Sequence, residues 1–388
     1  MPPIKMADRV DDIQPFFVMD LLARARELES QGKNIVHMEI GEPDFPTPAP
    51  VIEAGRQSLA DEKTHYTPAL GLPALREKIS QYYRQEFSVE VNPKRIVITP
   101  GASGALQLAL AALVNPEDKV IMADPGYPCN RHMVRMFEGD TTSVAVTEQS
   151  AYQLTPELIQ QNWDQQTAAA MIASPSNPTG TRLEKTAMQD IISTVEKLGG
   201  ALIVDEIYQG LVYQVENYTA LEFSDDIIIV NSFSKYFGMT GWRLGWMVVP
   251  EEMVDAIDRI AQNIFLAAST PAQYAAIEAF SDSSMRIMHQ RRDEFQKRRD
   301  YLLPALRQIG FKITTEPQGA FYIYADCSVL TDDSFKLSQD LLEQAGVAVT
   351  PGKDFGRYKA GQYLRFAYTQ PVERLEQGVA RLTEFFKD

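Results

Sequence analysis

Ile227-Ile228-Ile229-Val230-Asn231-Ser232-Phe233-Ser234-Lys235-Tyr236-Phe237-Gly238-Met239-Thr240-Gly241-Trp242-Arg243-Leu244-Gly245 joins an apolar run to a turn rich in hydroxyls, glycines and two cations. Four consecutive aliphatic residues bounded by turn formers read as a buried strand. Outward from this stretch the same pattern recurs. Ile96-Val97-Ile98, Val120-Ile121-Met122, Ser143-Val144-Ala145-Val146, Ala170-Met171-Ile172, Leu202-Ile203-Val204 and Trp246-Met247-Val248-Val249 are further apolar runs. Helix-like stretches at 104–113, 130–137 and 184–198 separate several of them. Strands and helices in alternation, with near-continuous apolar strands, predict an α/β fold: a mainly parallel seven-stranded sheet covered by helices on both faces. Ligands of such sheets sit beyond the carboxyl ends of the strands, so the turns after these runs are the candidate site.

The flanks read differently. Residues 19–28 are helix-like, 34–40 a short strand, and 50–59 and 72–87 amphipathic helices. A long helical pattern covers 272–303, dipping at 281–284, and Pro304 is expected to end it. Beyond it the runs 311–313, 320–324, 347–349 and 363–367 predict short strands of a smaller α+β domain. The expected division is an arm and part of the small domain over 1–45, a large domain over 46–283 and a small domain over 284–388.

A chain of 388 residues exceeds one compact core, in keeping with two domains. Its net charge of −15 disfavours nucleic acid and anionic membrane as partners. No run is long and apolar enough for a membrane span, and Met1-Pro2-Pro3-Ile4-Lys5-Met6-Ala7-Asp8 lacks the basic-then-apolar order of a signal peptide. Cys129 and Cys327 stand far apart, which speaks against a disulfide framework and for a reducing, cytoplasmic setting. The four histidines have no metal-like spacing, so no metal is expected.

Chemistry concentrates in the turns. Lys235, near other cations and partly desolvated, has the setting that lowers an amine pKa and makes it a nucleophile. Arg243 offers a planar fork to a phosphate, with Ser232 and Ser234 as hydroxyl donors. An imine-forming lysine beside a phosphate cradle suggests pyridoxal phosphate; the other reading of the stretch alone is a glycine-rich loop with a solvated lysine and a structural arginine. Thr99-Pro100-Gly101-Ala102-Ser103-Gly104 opens a helix whose N-terminus suits an anion. Asp124-Pro125-Gly126-Tyr127-Pro128 sets an aromatic just past a strand, either an ordinary turn tyrosine or one that stacks on a flat ring. The prolines of Ser174-Pro175-Ser176-Asn177-Pro178 fix Asn177 rigidly. Asp205 ends an apolar strand, where an acid is costly unless paired; it either caps the following turn or pairs with a pyridinium nitrogen, with Tyr208 within reach. Gly41, at a Gly-Pro break, lets a ligand approach the backbone or simply makes a turn.

Tyr66, Pro100-Gly101-Ala102-Ser103, Tyr127, Ser176-Asn177-Pro178-Thr179-Gly180, Asp205-Glu206-Ile207-Tyr208, the stretch 232–245 and Tyr363-Leu364-Arg365-Phe366 occur in an order that resembles the class I/II aminotransferases of pyridoxal-phosphate fold type I. The resemblance covers nearly the whole chain. It implies that Lys235 forms the internal aldimine and moves the proton, and that Asp205 holds the ring nitrogen. It further implies that Asn177 and Tyr208 bond the phenolic oxygen and that Tyr127 stacks on the ring. Gly101, Ala102, Ser103, Ser232, Ser234 and Arg243 would hold the phosphate, joined by Tyr66 from the second subunit of a homodimer with shared sites. Arg365, helped by Asn177 and the backbone at Gly41, would bind the substrate α-carboxylate. The substrates implied are an amino acid and a 2-oxo acid, exchanged in two half-reactions. Some aspartate-selective relatives carry Lys in the phosphate loop where this chain has neutral Ser103, which argues against a preference for aspartate. The alternatives are a β-elimination lyase on the same scaffold and a cofactor-sensing regulatory domain. The second would need a DNA-binding head, and the chain has no N-terminal helix-turn-helix segment.

Overall fold

The computed structural model describes residues 4–387. All seven apolar runs are strands of one sheet: β1 (Ile96–Thr99), β2 (Lys119–Asp124), β3 (Asp140–Ala145), β4 (Thr167–Ala173), β5 (Ala201–Asp205), β6 (Ile228–Ser232) and β7 (Gly245–Val248). Their order across the sheet is β1-β7-β6-β5-β4-β2-β3. Every pairing is parallel except those of β7, which runs against both neighbours. β7 therefore enters at the edge where the others end, and Gly245 pairs with both Thr99 and Ser232.

The period of two sorts each strand into two cores. Ile98, Ile121, Ile172, Val204, Ile229 and Trp246 join one apolar cluster, with helices Pro73–Phe87, Lys185–Leu198 and Thr270–Glu278. Val97, Val120, Met171, Ile203, Val230 and Met247 join the other, with helices Gly101–Leu113, Pro128–Met136 and Val254–Ile264. Each fully buried aliphatic side chain adds about 1.5–3 kcal/mol. In β6, buried on both sides, only the last two residues, Asn231 and Ser232, are polar.

The strand predicted over 143–146 is displaced to Asp140–Ala145. It is the outer strand, mostly open to solvent, and its first four residues are polar. The helical pattern over 272–303 is two helices, Thr270–Glu278 and Asp282–Ile309, with Ser281 Oγ capping the second at Ser284 N. Pro304 does not end it. Pro304 is exposed, while Leu302, Leu303 and Leu306 are buried, so the amide bond it removes lies on the wet side.

Beyond Ile309 a three-stranded antiparallel sheet joins Thr350–Pro351, Tyr363–Ala367 and Tyr322–Asp326. The run 311–313 forms no strand and contributes only a bridge from Lys312 to Asp326. From the other end of the chain, Val36–His37 pairs in parallel with Val347–Ala348. This pairing carries Glu39 and Gly41 to the carboxyl edge of the large sheet.

Candidate active site

The ends of β5 and β6 lie side by side, with Asp205 opposite Val230, and the turn after β6 folds Lys235 back toward that edge. Lys235 Nζ donates to Gly41 O at 2.7 Å and lies 5.9 Å above the Phe321 ring. Burial pushes its ammonium down to about 8, and Arg365 and Arg243 repel it further, against Glu42 and Asp205. Asp205 is 4 % exposed, and Oδ1 accepts from Ile207 N at 3.0 Å. Burial raises its carboxyl to about 7, with Ile207 N and Lys235 opposing. A carboxylate this desolvated, without a bonded cation of its own, suits a cationic ligand atom. Glu206, behind it, is buried too and raised to about 8 by burial, but Gln209, Thr219 and Ala220 N occupy it.

Around the start of helix Gly101–Leu113 two glycines let Arg243 and the backbone of β7 approach closely. Gly101 has φ +71°, and a Cβ there would lie 2.7 Å from Arg243 Nη2. A Cβ on Gly245 would meet Gly101 C at 2.7 Å and Ala102 N at 2.8 Å. Arg243 is itself left-handed at φ 52°, with Nη1 on Thr240 O at 3.1 Å. Ser232 Oγ and Ser234 Oγ are 2.9 Å apart, and Ser234 N donates to Ser232 Oγ at 3.0 Å. The first amides of a helix, a guanidinium and two hydroxyls fit a phosphate. Ser103 and Ala102 sit in the first turn, half-buried.

Arg365, in the strand Tyr363–Ala367, is 5 % exposed. Nη1 donates to Asn177 Oδ1 at 3.0 Å, and Nη2 to Thr350 Oγ1 at 3.2 Å and to Glu39 O. Its Nε is buried without a partner, and its guanidinium lies 4.3 Å from the Tyr322 ring and 4.8 Å from the Phe355 ring. Tyr208 OH and Tyr322 OH are 2.9 Å apart. Tyr127 is 38 % exposed, stacks on Phe16 and meets Cys129 Sγ at 3.3 Å.

Of the residues singled out from the sequence, Lys235, Asp205, Tyr208, Asn177, Gly41 and Arg365 converge through these contacts. Gly101, Ala102, Ser232, Ser234 and Arg243 gather beside them, and Tyr127 borders the same cleft. Tyr66 stands apart, 84 % exposed. Sequence reasoning passed over Tyr322, Thr350, Phe355 and Glu39. Tyr322 lay in a run legible only as a strand, yet it packs directly on Gly41, where a Cβ would collide with its hydroxyl.

A sequence profile described as "Aminotransferase class I and II" matches residues 33–382. The chain is 35% identical over 383 residues to the (5-formylfuran-3-yl)methyl phosphate transaminase of Methanocaldococcus jannaschii, covering 98% of this chain and 99% of that one. It is 35% identical over 382 residues to the valine–pyruvate aminotransferase of Mycobacterium tuberculosis, covering 97% and 98%. The crystal structure of an aminotransferase from Mycobacterium tuberculosis superposes with a TM-score of 0.96 at 34% identity, over 99% of this chain and 100% of that one. The chain belongs to the class I and II aminotransferases. It is a pyridoxal-phosphate-dependent transaminase of fold type I, acting between an amino acid and a 2-oxo acid.

Proposed function

We propose that this transaminase works in amino-acid metabolism as a cytoplasmic homodimer, with one site built around Lys235 in each subunit. The observation that carries the residue roles is the setting of Lys235 Nζ. It sits on Gly41 O, with burial bringing its ammonium down to about 8 and the charges of Arg365 and Asp205 acting on it in opposite directions. Pyridoxal phosphate, when bound, supplies an aldehyde that condenses with amines and a ring that draws electrons from the adjoining carbon. In this reading Gly101, Ala102, Ser103, Ser232, Ser234 and Arg243 hold the phosphate, completed by Tyr66 of the partner subunit. Asp205 keeps the ring nitrogen protonated, Tyr127 covers one ring face, and Asn177 and Tyr208 face the phenolic oxygen. Arg365, with Asn177 and the backbone at Gly41, grips the α-carboxylate and so orients the substrate. Lys235 Nζ takes the proton from the substrate Cα and returns it, a task suited to an amine held near neutral. The proposed division is a large domain over 46–283 that binds the cofactor and a small one formed by 1–45 and 284–388.

The named relatives pair the same reaction with a phosphate-bearing furan in one case and with valine and pyruvate in another. The side-chain preference is therefore a separate question. The test of the roles is Lys235→Ala. Turnover is expected to vanish and the visible absorbance of the lysine-linked cofactor to disappear, while the phosphate cradle still retains the cofactor. A mutant that keeps that absorbance band would overturn the assignment.

A further inference from the structure

Beyond Tyr127 and Asn177, which form part of its wall, the protein has a partly open cavity of about 510 Å³ whose other lining residues carry no role above. Its size falls within the range of roughly 300–1,000 Å³ typical of small-molecule sites. Phe16, Phe17, Tyr127 and Phe355 give it aromatic walls. It borders the carboxylate grip directly: Asn177 accepts from Arg365 at 3.0 Å, and Phe355 lies 4.8 Å from the same guanidinium. Asn177 and Phe355 are thus shared between the cavity wall and the surroundings of Arg365.

The charged groups of the lining are unequally engaged. Asp354 accepts from Phe17 N at 2.8 Å and Val18 N at 2.9 Å, anchoring the start of helix Phe17–Ser30. Asp124 accepts from Arg357 N at 2.9 Å and Tyr358 N at 3.3 Å. Asp12 accepts from Arg135 Nε at 2.6 Å. All three carboxylates are thus tied down by the protein itself. Two guanidiniums are not. Arg131 touches only the main-chain oxygen of Asp354, at 3.1 Å, and neither it nor Arg357 forms an ion pair among the described residues. Asn130, also in the lining, is 8 % exposed, and its Oδ1 has no partner among the described residues. Rotating that amide presents a donor instead of an acceptor. A half-buried guanidinium, Arg131, beside a buried unsatisfied amide and with the exposed Arg357 at the rim, suits anionic oxygens.

We propose that this cavity is the side-chain pocket and that the preferred substrate carries a bulky side chain ending in an anionic group, bound by Arg131, Arg357 and Asn130. Carboxylate and phosphate share that chemistry. The proposal rests on the role given to Arg365, and it names a class of acid larger than aspartate.

The experiment uses the holoenzyme and follows the cofactor's visible band after adding one donor at a time. Alanine reports the common chemistry, and phenylalanine adds bulk without charge. 4-Carboxyphenylalanine and O-phosphotyrosine add the same ring with a carboxylate or a phosphate. At least one acidic aryl donor is expected to exceed phenylalanine in kcat/KM by at least about tenfold, and which one does so identifies the anion. Arg131→Gln and, independently, Arg357→Gln are expected to abolish that advantage while alanine reacts as before. No advantage in the wild type, or an advantage surviving both substitutions, overturns the proposal, and so does an equal loss toward alanine in both variants. If alanine itself never changes the band, the site roles above fail and this inference falls with them. If alanine reacts and the acidic donors gain nothing, only this inference falls.

Discussion

At the scale of single residues, the protein keeps charged groups in places where water would ordinarily be needed. Arg365 is the clearest case: its fork is already directed by Asn177, Thr350 and the Glu39 carbonyl before any substrate arrives. Arg365→Lys replaces a plane of donors by a point charge. Losing one charge-assisted bond, about 1.5–3 kcal/mol, is expected to lower kcat/KM about 10- to 100-fold for every amino acid, whatever its side chain. Should only acidic side chains suffer in steady-state kinetics, Arg365 would belong to the side-chain pocket instead.

One layer behind, His37 Nδ1 lies 2.7 Å from Glu39 Oε1 and Nε2 lies 3.1 Å from Glu29 Oε1. The hydrogen bond to Glu39 is the main cause that raises the imidazole to about 9, burial opposing and Glu29 assisting. The folded value lies above the unfolded one of about 6.5, so this stabilisation is complete below about pH 6.5 and is lost as pH rises through about 9. His37→Gln is therefore expected to cost on the order of 1–3 kcal/mol near pH 6, and the pH-dependent part of that cost to vanish near pH 10. Denaturant unfolding at both pH values measures it. A difference between wild type and mutant that does not change with pH would contradict the assigned pair. Lys235 and Asp205 were legible from sequence because each ends or follows an apolar strand at the sheet edge. Glu39, Tyr322 and Thr350 were not, since only the pairing of distant segments brings them to Arg365.

At the scale of elements, the seven strands were readable because a sheet covered on both faces demands uninterrupted apolar runs. The outer strand β3 was misplaced because solvent on one side relaxes that demand. Helix Asp282–Ile309 outlasted its proline because the broken bond faces water, a matter of helix face that local propensity does not carry. The reversed strand β7 was not foreseen, and it is what brings Gly245 against Gly101. Gly101→Ala would strain a left-handed backbone by roughly 1–2 kcal/mol and push a methyl group toward Arg243. Cofactor affinity, read by spectral titration, is expected to fall about 10-fold or more, with a matching drop in Tm. Unchanged affinity would mean that the phosphate sits elsewhere.

At the scale of the whole molecule, the outlier is Tyr66, whose ring is 84 % exposed although the proposed role puts it at a phosphate. If each site combines Lys235 of one subunit with Tyr66 of the other, mixing Tyr66→Ala with Lys235→Ala chains produces hybrids in which one site carries both lesions and the other carries neither. Random exchange makes about half of all dimers hybrid, so about one quarter of all sites should regain activity. No recovery, with hybrids confirmed by mass, would place Tyr66 in its own subunit's site or in none.

The same exposed tyrosine has a thermodynamic corollary. A phosphate bound partly by each subunit links cofactor occupancy to subunit association. In the proposed shared-site dimer, dilution that separates the subunits would by mass action weaken the grip on the cofactor, and saturating cofactor would tighten the association by that factor once for each of the two sites. Such a holoenzyme would shed cofactor as it is diluted, to an extent that extra pyridoxal phosphate reduces, so its apparent affinity would be a property of protein concentration as much as of any one site.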